Sequence, residues 1–174
     1  MKERTLKLTK ANNELRKEIK LCGKMEKTLR VSEEKYRLLI NNIPDVVWIA
    51  DEKCNIMFIS PMAEKVLGYT PEEIYKESSD FWHKNTHPND IERMKAAYES
   101  FYGGECKFEI EYRFRRKDGK YIWIYDRCVM LNFPINGKNY AYGIFSDVTL
   151  QKQLRDELVF TCKNKLNIVN SILF

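Results

Sequence analysis

The side chains best equipped for chemistry are few and scattered along the chain. His83 and His87 stand four residues apart, a spacing at which two imidazoles can share one helix face and ligate zinc or haem. Pro88 follows His87 at once and makes it a cap position, so the pair cannot occupy one regular helix. His87 therefore reads as structural, and His83 as a surface or partly buried side chain. Five cysteines, Cys22, Cys54, Cys106, Cys128 and Cys162, lie far apart with no Cys-x-x-Cys pair. That spacing suits neither a zinc site nor a disulfide framework, and reduced thiols are expected. No Ser/His/Asp constellation is visible, and the paired glycines Gly103-Gly104 stop a helix rather than cradle a phosphate. An enzyme using His83 or His87 as a base lacks an assignable orienting carboxylate. The chain is expected to carry no catalytic residue.

The elements that would position any site are clearer. From Cys106 to Arg115 the sequence alternates, with Cys106, Phe108, Ile110, Tyr112 and Phe114 on one parity and charges on the other. This is the pattern of a half-buried strand. Lys117-Asp118-Gly119-Lys120 reads as a hairpin turn, because Asp-Gly supplies positive φ. A second strand, Tyr121 to Phe133, is apolar on both parities and predicts cover on both sides. A turn at Pro134 to Gly137, tipped by Asn136-Gly137, leads to a third strand from Asn139 to Asp147.

Upstream, residues 1–31 lack proline and read as one helix. Leu8, Leu15, Cys22 and Leu29 recur every seven residues, with Asn12 and Glu26 at alternate core positions. The repeat fits a parallel dimeric coiled coil, and a solvated helix is the other reading. Ser32 is placed to cap a new helix from Glu33 that Pro44 ends. Strands follow at Asp45–Ala50 and Asn55–Ser60. Short helices come next: Met62–Leu67 stopped by Gly68, one opened by Thr70-Pro71-Glu72-Glu73, and a longer one opened by His87-Pro88-Asn89-Asp90. Ile91, Met94, Tyr98 and Phe101 mark the buried face of the last. Five strands with a helical insert between the second and third make an α+β single-sheet domain.

Composition agrees with a soluble class: 44% hydrophobic and 32% charged over 174 residues. No apolar run approaches the ~18–20 residues of a membrane span, no signal peptide opens the chain, and a cytoplasmic location is expected. Residues 1–35 hold 11 Lys/Arg and 6 Asp/Glu, which accounts for the whole net charge of +5. With no aromatic residue interleaved before Tyr36, that excess reads as the wet face of a helix, not a nucleic-acid contact.

Several motifs in order resemble the PAS domain with its C-terminal PAC portion, over about residues 32–150. They are Ser32-Glu33-Glu34-Lys35-Tyr36-Arg37, Asn42-Ile43-Pro44-Asp45, Gly68-Tyr69-Thr70-Pro71-Glu72-Glu73, His87-Pro88-Asn89-Asp90, Asp118-Gly119 with Trp123-Ile124, and Asp147-Val148-Thr149. The resemblance implies a five-stranded antiparallel sheet of order 2-1-5-4-3, with helices on one face around a small cavity. It also implies an outer sheet face covered by a flanking helix or a partner subunit. The chain then divides into a coiled-coil-like helix (1–31), the PAS domain (32–150) and a signalling helix (151–174).

Within that frame Met94 and Tyr98 are expected to face Phe108, Ile110 and Tyr112 across a cavity. Ile49, Phe58, Trp82, Tyr142 and Ile144 are its candidate walls. The set suits a small-molecule pocket or a filled core, since both share one composition. The Asn-Cys-Arg run of the flavin-binding subtype is absent, and haem would fall to His83 or His87. Trp123, Asp147 and Thr149 are the signal-transfer candidates. Asp147 and Thr149 lie where a strand becomes a helix, and their side chains can accept backbone N–H groups there.

Asn164-Lys165-Leu166-Asn167-Ile168-Val169-Asn170-Ser171-Ile172 looks like the run before the phosphoacceptor histidine of some archaeal-type sensor kinases. The expectation is a sensory module of a two-component histidine kinase, dimeric through its flanking helices. The alternative is a ligand-free PAS module for dimerisation or protein interaction.

Overall fold

A computed structural model describes residues 2–77, 80–104, 107–130 and 139–173. The chain forms two compact units, Met1–Asn42 and Ile43–Phe174.

The first unit is a single helix, α1 (Lys2–Asn42). The break expected at Ser32 does not occur. The Arg30 guanidinium donates to Glu34 at 3.2 Å, an i,i+4 pair that spans the expected cap and favours continuation. Leu15, Cys22 and Leu29 of the heptad repeat are exposed, and the side chain of Leu8 lies outside the described residues. Pro44 accounts for the end: the last helical residue is Asn42, whose amide donates to the Leu38 carbonyl at 2.7 Å.

The second unit begins with β1 (Val46–Asp51) and β2 (Ile56–Ile59). Four short helices follow: α2 (Met62–Leu67), α3 (Pro71–Glu77), α4 (Asp80–Asn85) and α5 (Pro88–Tyr102). Then come β3 (Lys107–Arg115), β4 (Tyr121–Met130), β5 (Tyr140–Asp147) and α6 (Thr149–Leu173). The strands form one antiparallel sheet in the order β2-β1-β5-β4-β3. Cys106 and the segment Leu131 to Gly137, including the turn at Asn136-Gly137, lie outside the described residues.

Local chemistry explains the punctuation. Thr70 and Glu73 form a reciprocal capping box at the start of α3, at 3.0 and 3.3 Å. Gly68 takes φ 82° to end α2, and the hairpin turn at Gly119 takes φ 85°. The Lys117 amide donates to the Leu67 carbonyl at 3.0 Å, tying the β3–β4 turn to the end of α2.

The core lies between the sheet and the helices. Phe81 and Trp82 of α4 pack against Phe114 and Phe145 of the sheet at centroid distances of 5.3–5.6 Å. β3 keeps its alternation, with Phe108, Ile110, Tyr112 and Phe114 all buried. β4 buries Ile122, Ile124, Asp126 and Cys128 inward, while Trp123, Tyr125 and Val129 on the outward parity are half-buried. Part of its outward cover comes from α6: the Lys152 ammonium sits 4.9 Å from the Trp123 ring centroid and pairs with Glu111. Among the described residues, no helix is long and apolar enough to cross a membrane.

Candidate functional site: a cavity floored by a buried carboxylate

A cavity of about 490 Å³ lies on the inner face of the sheet, within the size range of small-molecule sites. Trp48 and Ala50 of β1, Ile56 of β2 and Asp126 of β4 line it from the sheet side. Trp82 and His83 of α4 and Met94, Tyr98 and Glu99 of α5 line it from the helices. Neighbouring hydrogen bonds fix two of these walls. The Thr86 hydroxyl donates to the Trp82 carbonyl at 2.8 Å and approaches the Met94 sulfur at 3.3 Å. Tyr98 stacks on Phe108 with centroids 4.9 Å apart.

The polar feature of the floor crosses four strands. Trp48 Nε1 donates to Asp126 Oδ1 at 3.1 Å, although β5 runs between β1 and β4. The reason is Gly143 of β5, paired in register with Trp48. A Cβ there would lie 2.5 Å from the indole and 2.7 Å from the Arg127 carbonyl. The missing side chain lets the indole lie across β5 and reach β4. From β3, the Tyr112 hydroxyl approaches Asp126 Oδ2 at 3.5 Å. Asp126 is 2% exposed. Burial pushes its carboxyl up to about 7, against the lowering effect of the Trp48 and Tyr112 hydrogen bonds. Burial also holds the Tyr112 phenol and the Cys128 thiol well above their ordinary ranges.

The expected site residues divide three ways. Trp82, Met94 and Tyr98 do line the cavity. Phe108, Ile110 and Tyr112 share the inner face but are buried in the core beside it. Ile49, Phe58, Tyr142 and Ile144 are not walls of it. Ile49 pairs with Phe58 and with Tyr142, one residue out of phase with the inward Trp48 and Gly143. Tyr142 and Ile144 instead border a shallower groove of about 300 Å³ with Arg127 and Val129. β1 is apolar on both parities, so periodicity could not say which set faces inward. A register shift between Ile49 and Ala50 then brings Ile56 round to the cavity side.

His83 lines the cavity, whereas His87 caps α5, its Nδ1 accepting from the Asn89 amide at 3.2 Å. Among the described residues, no group of three His, Cys, Asp or Glu side chains could hold a metal ion.

At the sheet's exit, Asp147 Oδ1 accepts from the Thr149 amide at 2.9 Å, and Thr149 Oγ1 accepts from the Trp123 amide at 2.8 Å. The Val148 amide donates to the Trp123 carbonyl at 2.8 Å. Val148 and Thr149, the residue before α6 and its first residue, are thus tied to the carbonyl and the amide of Trp123 on β4.

Residues 56–144, about half of the chain, match the PAS fold family. The chain belongs to the PAS family. It is similar to an uncharacterized protein, y4lL, of Sinorhizobium fredii, at 27% identity over 137 residues. That match covers 79% of this PAS chain but 16% of the relative, so the chain spans a small part of that protein's length. Among solved structures it is similar to a sensory box histidine kinase/response regulator from Burkholderia thailandensis. The identity there is 25% and the TM-score 0.58, covering 76% of this chain and 98% of that one. A second is the N-terminal domain of a diguanylate cyclase with PAS/PAC sensor from Marinobacter aquaeolei, at 24% and 0.52, covering 62% and 98%.

Sequence reasoning missed the walls Trp48, Ala50 and Ile56 of this PAS cavity and, with the most chemical consequence, its buried Asp126. A signal was present: it is the sole charged residue on the inward parity of β4, between Ile124 and Cys128. A carboxylate at such a position must either twist out or be buried with partners.

Proposed function

We propose that this PAS chain is the sensory module of a two-component sensor histidine kinase of archaeal type. A small molecule held in the cavity shifts the sheet, and the shift leaves through α6. One observation carries the reading: β4 bears both the cavity floor and the exit. Asp126 lines the cavity, and three residues earlier Trp123 hydrogen-bonds the first turn of α6. Movement at one position is transmitted along a single strand to the other. The likeness to a histidine kinase sensor supports the effector type, as does the run at Asn164 to Ile172. Exposed Leu15 and Leu29 on α1, and Leu154 and Leu158 on α6, supply apolar surface for pairing two copies through the flanking helices. A helical interface biased by a local change is an established kind of switch.

The test is autophosphorylation of the natural full-length protein. Thr149→Val removes the acceptor for the Trp123 amide. It is expected to uncouple autophosphorylation from the cue while lowering stability by only about 1 kcal/mol. Unchanged coupling overturns the transmission route, and no autophosphorylation in any state overturns the kinase reading.

A second reading is a docking module that uses the outer sheet face. Met57 and Tyr142 favour it, being 57% and 44% exposed beside the shallow groove or on the edge strand. Substitution of these two by serine would then abolish association and leave the cavity untouched.

A further inference from the structure

The PAS cavity has a floor built around a buried carboxyl whose side-chain partners are neutral. Asp126 is 2% exposed, and its side-chain partners are an indole N–H and a phenol O–H, the second at a long 3.5 Å, beside a backbone hydrogen bond from Arg127. No cationic side chain among the described residues lies within hydrogen-bonding distance of it. Arg127, its neighbour in sequence, points to the other face, where its guanidinium lies 4.9 Å from the Tyr125 ring centroid. A carboxylate can accept about four hydrogen bonds, so Asp126 keeps acceptor capacity toward the cavity it lines.

The walls around it have the complementary character. Trp48, Trp82 and Tyr98 present aromatic rings, and Met94 presents a polarizable thioether. Rings and a carboxylate on one cavity are the surroundings that favour an ammonium group over water. The charges lining the rest of the cavity offset one another, Lys53 and Lys95 against Asp80 and Glu99. The buried floor therefore sets the sign.

We infer that the cavity selects a small organic cation, an apolar or aromatic body bearing a primary ammonium, whose N–H groups bond to Asp126. This rests on reading the cavity as a ligand site and names the class of ligand it takes. A cation bound there would hold Asp126 ionised, so its affinity rises with pH through the range in which the free carboxyl loses its proton. Tyr112 and Cys128, both pushed upward by burial, keep their protons across that range. The other ionisable side chains lining the cavity are Lys53, Cys54, Asp80, His83, Lys95, Tyr98 and Glu99. His83→Gln is the control that separates a histidine contribution.

The experiment is isothermal titration calorimetry on the 174-residue chain with three probes of one shape. These are 2-phenylethylamine, 2-phenylethanol and 3-phenylpropanoate. At pH 8 the amine is expected to bind about 10-fold or more tightly than the alcohol, as a charge-assisted hydrogen bond implies. The acid is expected to bind weakest. Asp126→Asn should erase the amine's advantage and leave alcohol affinity unchanged. Trp48→Phe, which keeps the carboxylate, should retain the advantage. Between pH 8 and 5.5 the advantage should shrink in the wild type and in His83→Gln alike. Equal binding of amine and alcohol overturns this inference alone, as does an advantage that survives in Asp126→Asn. Failure of all three probes to bind overturns both this inference and the ligand-cavity reading.

Discussion

Two buried aspartates, Asp90 and Asp126, meet adjacent residues of β3, Arg113 and Tyr112, and live in opposite electrostatic surroundings. Asp90 opens α5 and is 5% exposed. The Arg113 guanidinium on β3 grips it with two bonds, at 2.8 and 3.1 Å, and the Arg113 amide adds a third at 3.0 Å. The Arg113 hydrogen bonds hold the Asp90 carboxyl below its ordinary range, against the opposing effect of burial. Asp126 is buried more deeply, no cationic side chain among the described residues bonds to it, and burial pushes its carboxyl up to about 7. Burial alone does not set the state of an acid. The partner decides whether the group locks the fold or remains available to a proton or a ligand. Asp90 clamps α5 to β3 and borders neither the cavity nor the shallower groove. Asp126 lines the cavity with neutral donors, Trp48 and Tyr112, as its side-chain partners.

Substitutions can break this contrast, and the largest effect belongs to Asp126. A carboxyl raised from an ordinary value near 3.9 to about 7 makes the folded state bind the extra proton between those values. Stability should therefore fall as pH rises from about 4 to 7. Asp126→Asn should remove that slope and stabilise the protein at pH 8 by an amount on the order of 4 kcal/mol. Urea unfolding at pH 5 and pH 8 reads the difference directly, and an unchanged slope in the variant refutes the assignment.

Asp90 should behave in the reverse sense. Its depressed carboxyl contributes stability above the unfolded value near 3.9, and that contribution is lost as pH falls below it. Asp90→Ala should destabilise the domain by about 3 kcal/mol at pH 7. It should also flatten the acid limb of the same urea series.

Gly143→Ala tests how Asp126 is held. The added methyl would meet the Trp48 indole and the Arg127 carbonyl. A loss of about 2 kcal/mol is expected, with a shift in tryptophan emission as the indole leaves the carboxylate. The smallest effect is expected from Trp48→Phe, about 1 kcal/mol at pH 8, because it removes one donor from Asp126. It should also raise the Asp126 pKa further, measurable by carboxyl-resolved NMR titration.

Much of the fold was legible from local pattern. The alternation from Phe108 to Phe114 gave the inward face of β3, because one parity was apolar and the other charged. Thr70-Pro71-Glu72-Glu73 and His87-Pro88 marked helix starts through capping chemistry that acts within one turn. The role of Asp147 as an acceptor at the strand-to-helix junction could be anticipated for the same reason, whereas Thr149 accepts from Trp123, 26 residues away, a donor only the sheet brings to it. The failures share another cause. Ser32 has cap chemistry, but a helix already running through Arg30 and Glu34 had no reason to stop. Ile49, Tyr142 and Ile144 were assigned to the cavity because apolar residues occupy both parities of their strands.

The sequence by itself determined the periodic and capped elements, since those depend on neighbours a few residues away. It also carried, unread, the two residues on which the cavity depends, a glycine in β5 and an aspartate in β4. Only the tertiary structure decided that Trp48 rather than Ile49 faces inward, and that its indole passes over Gly143 to reach Asp126. The facing of a strand apolar on both sides is set by long-range pairing. The protonation of a carboxyl is set by what the fold brings, or fails to bring, beside it.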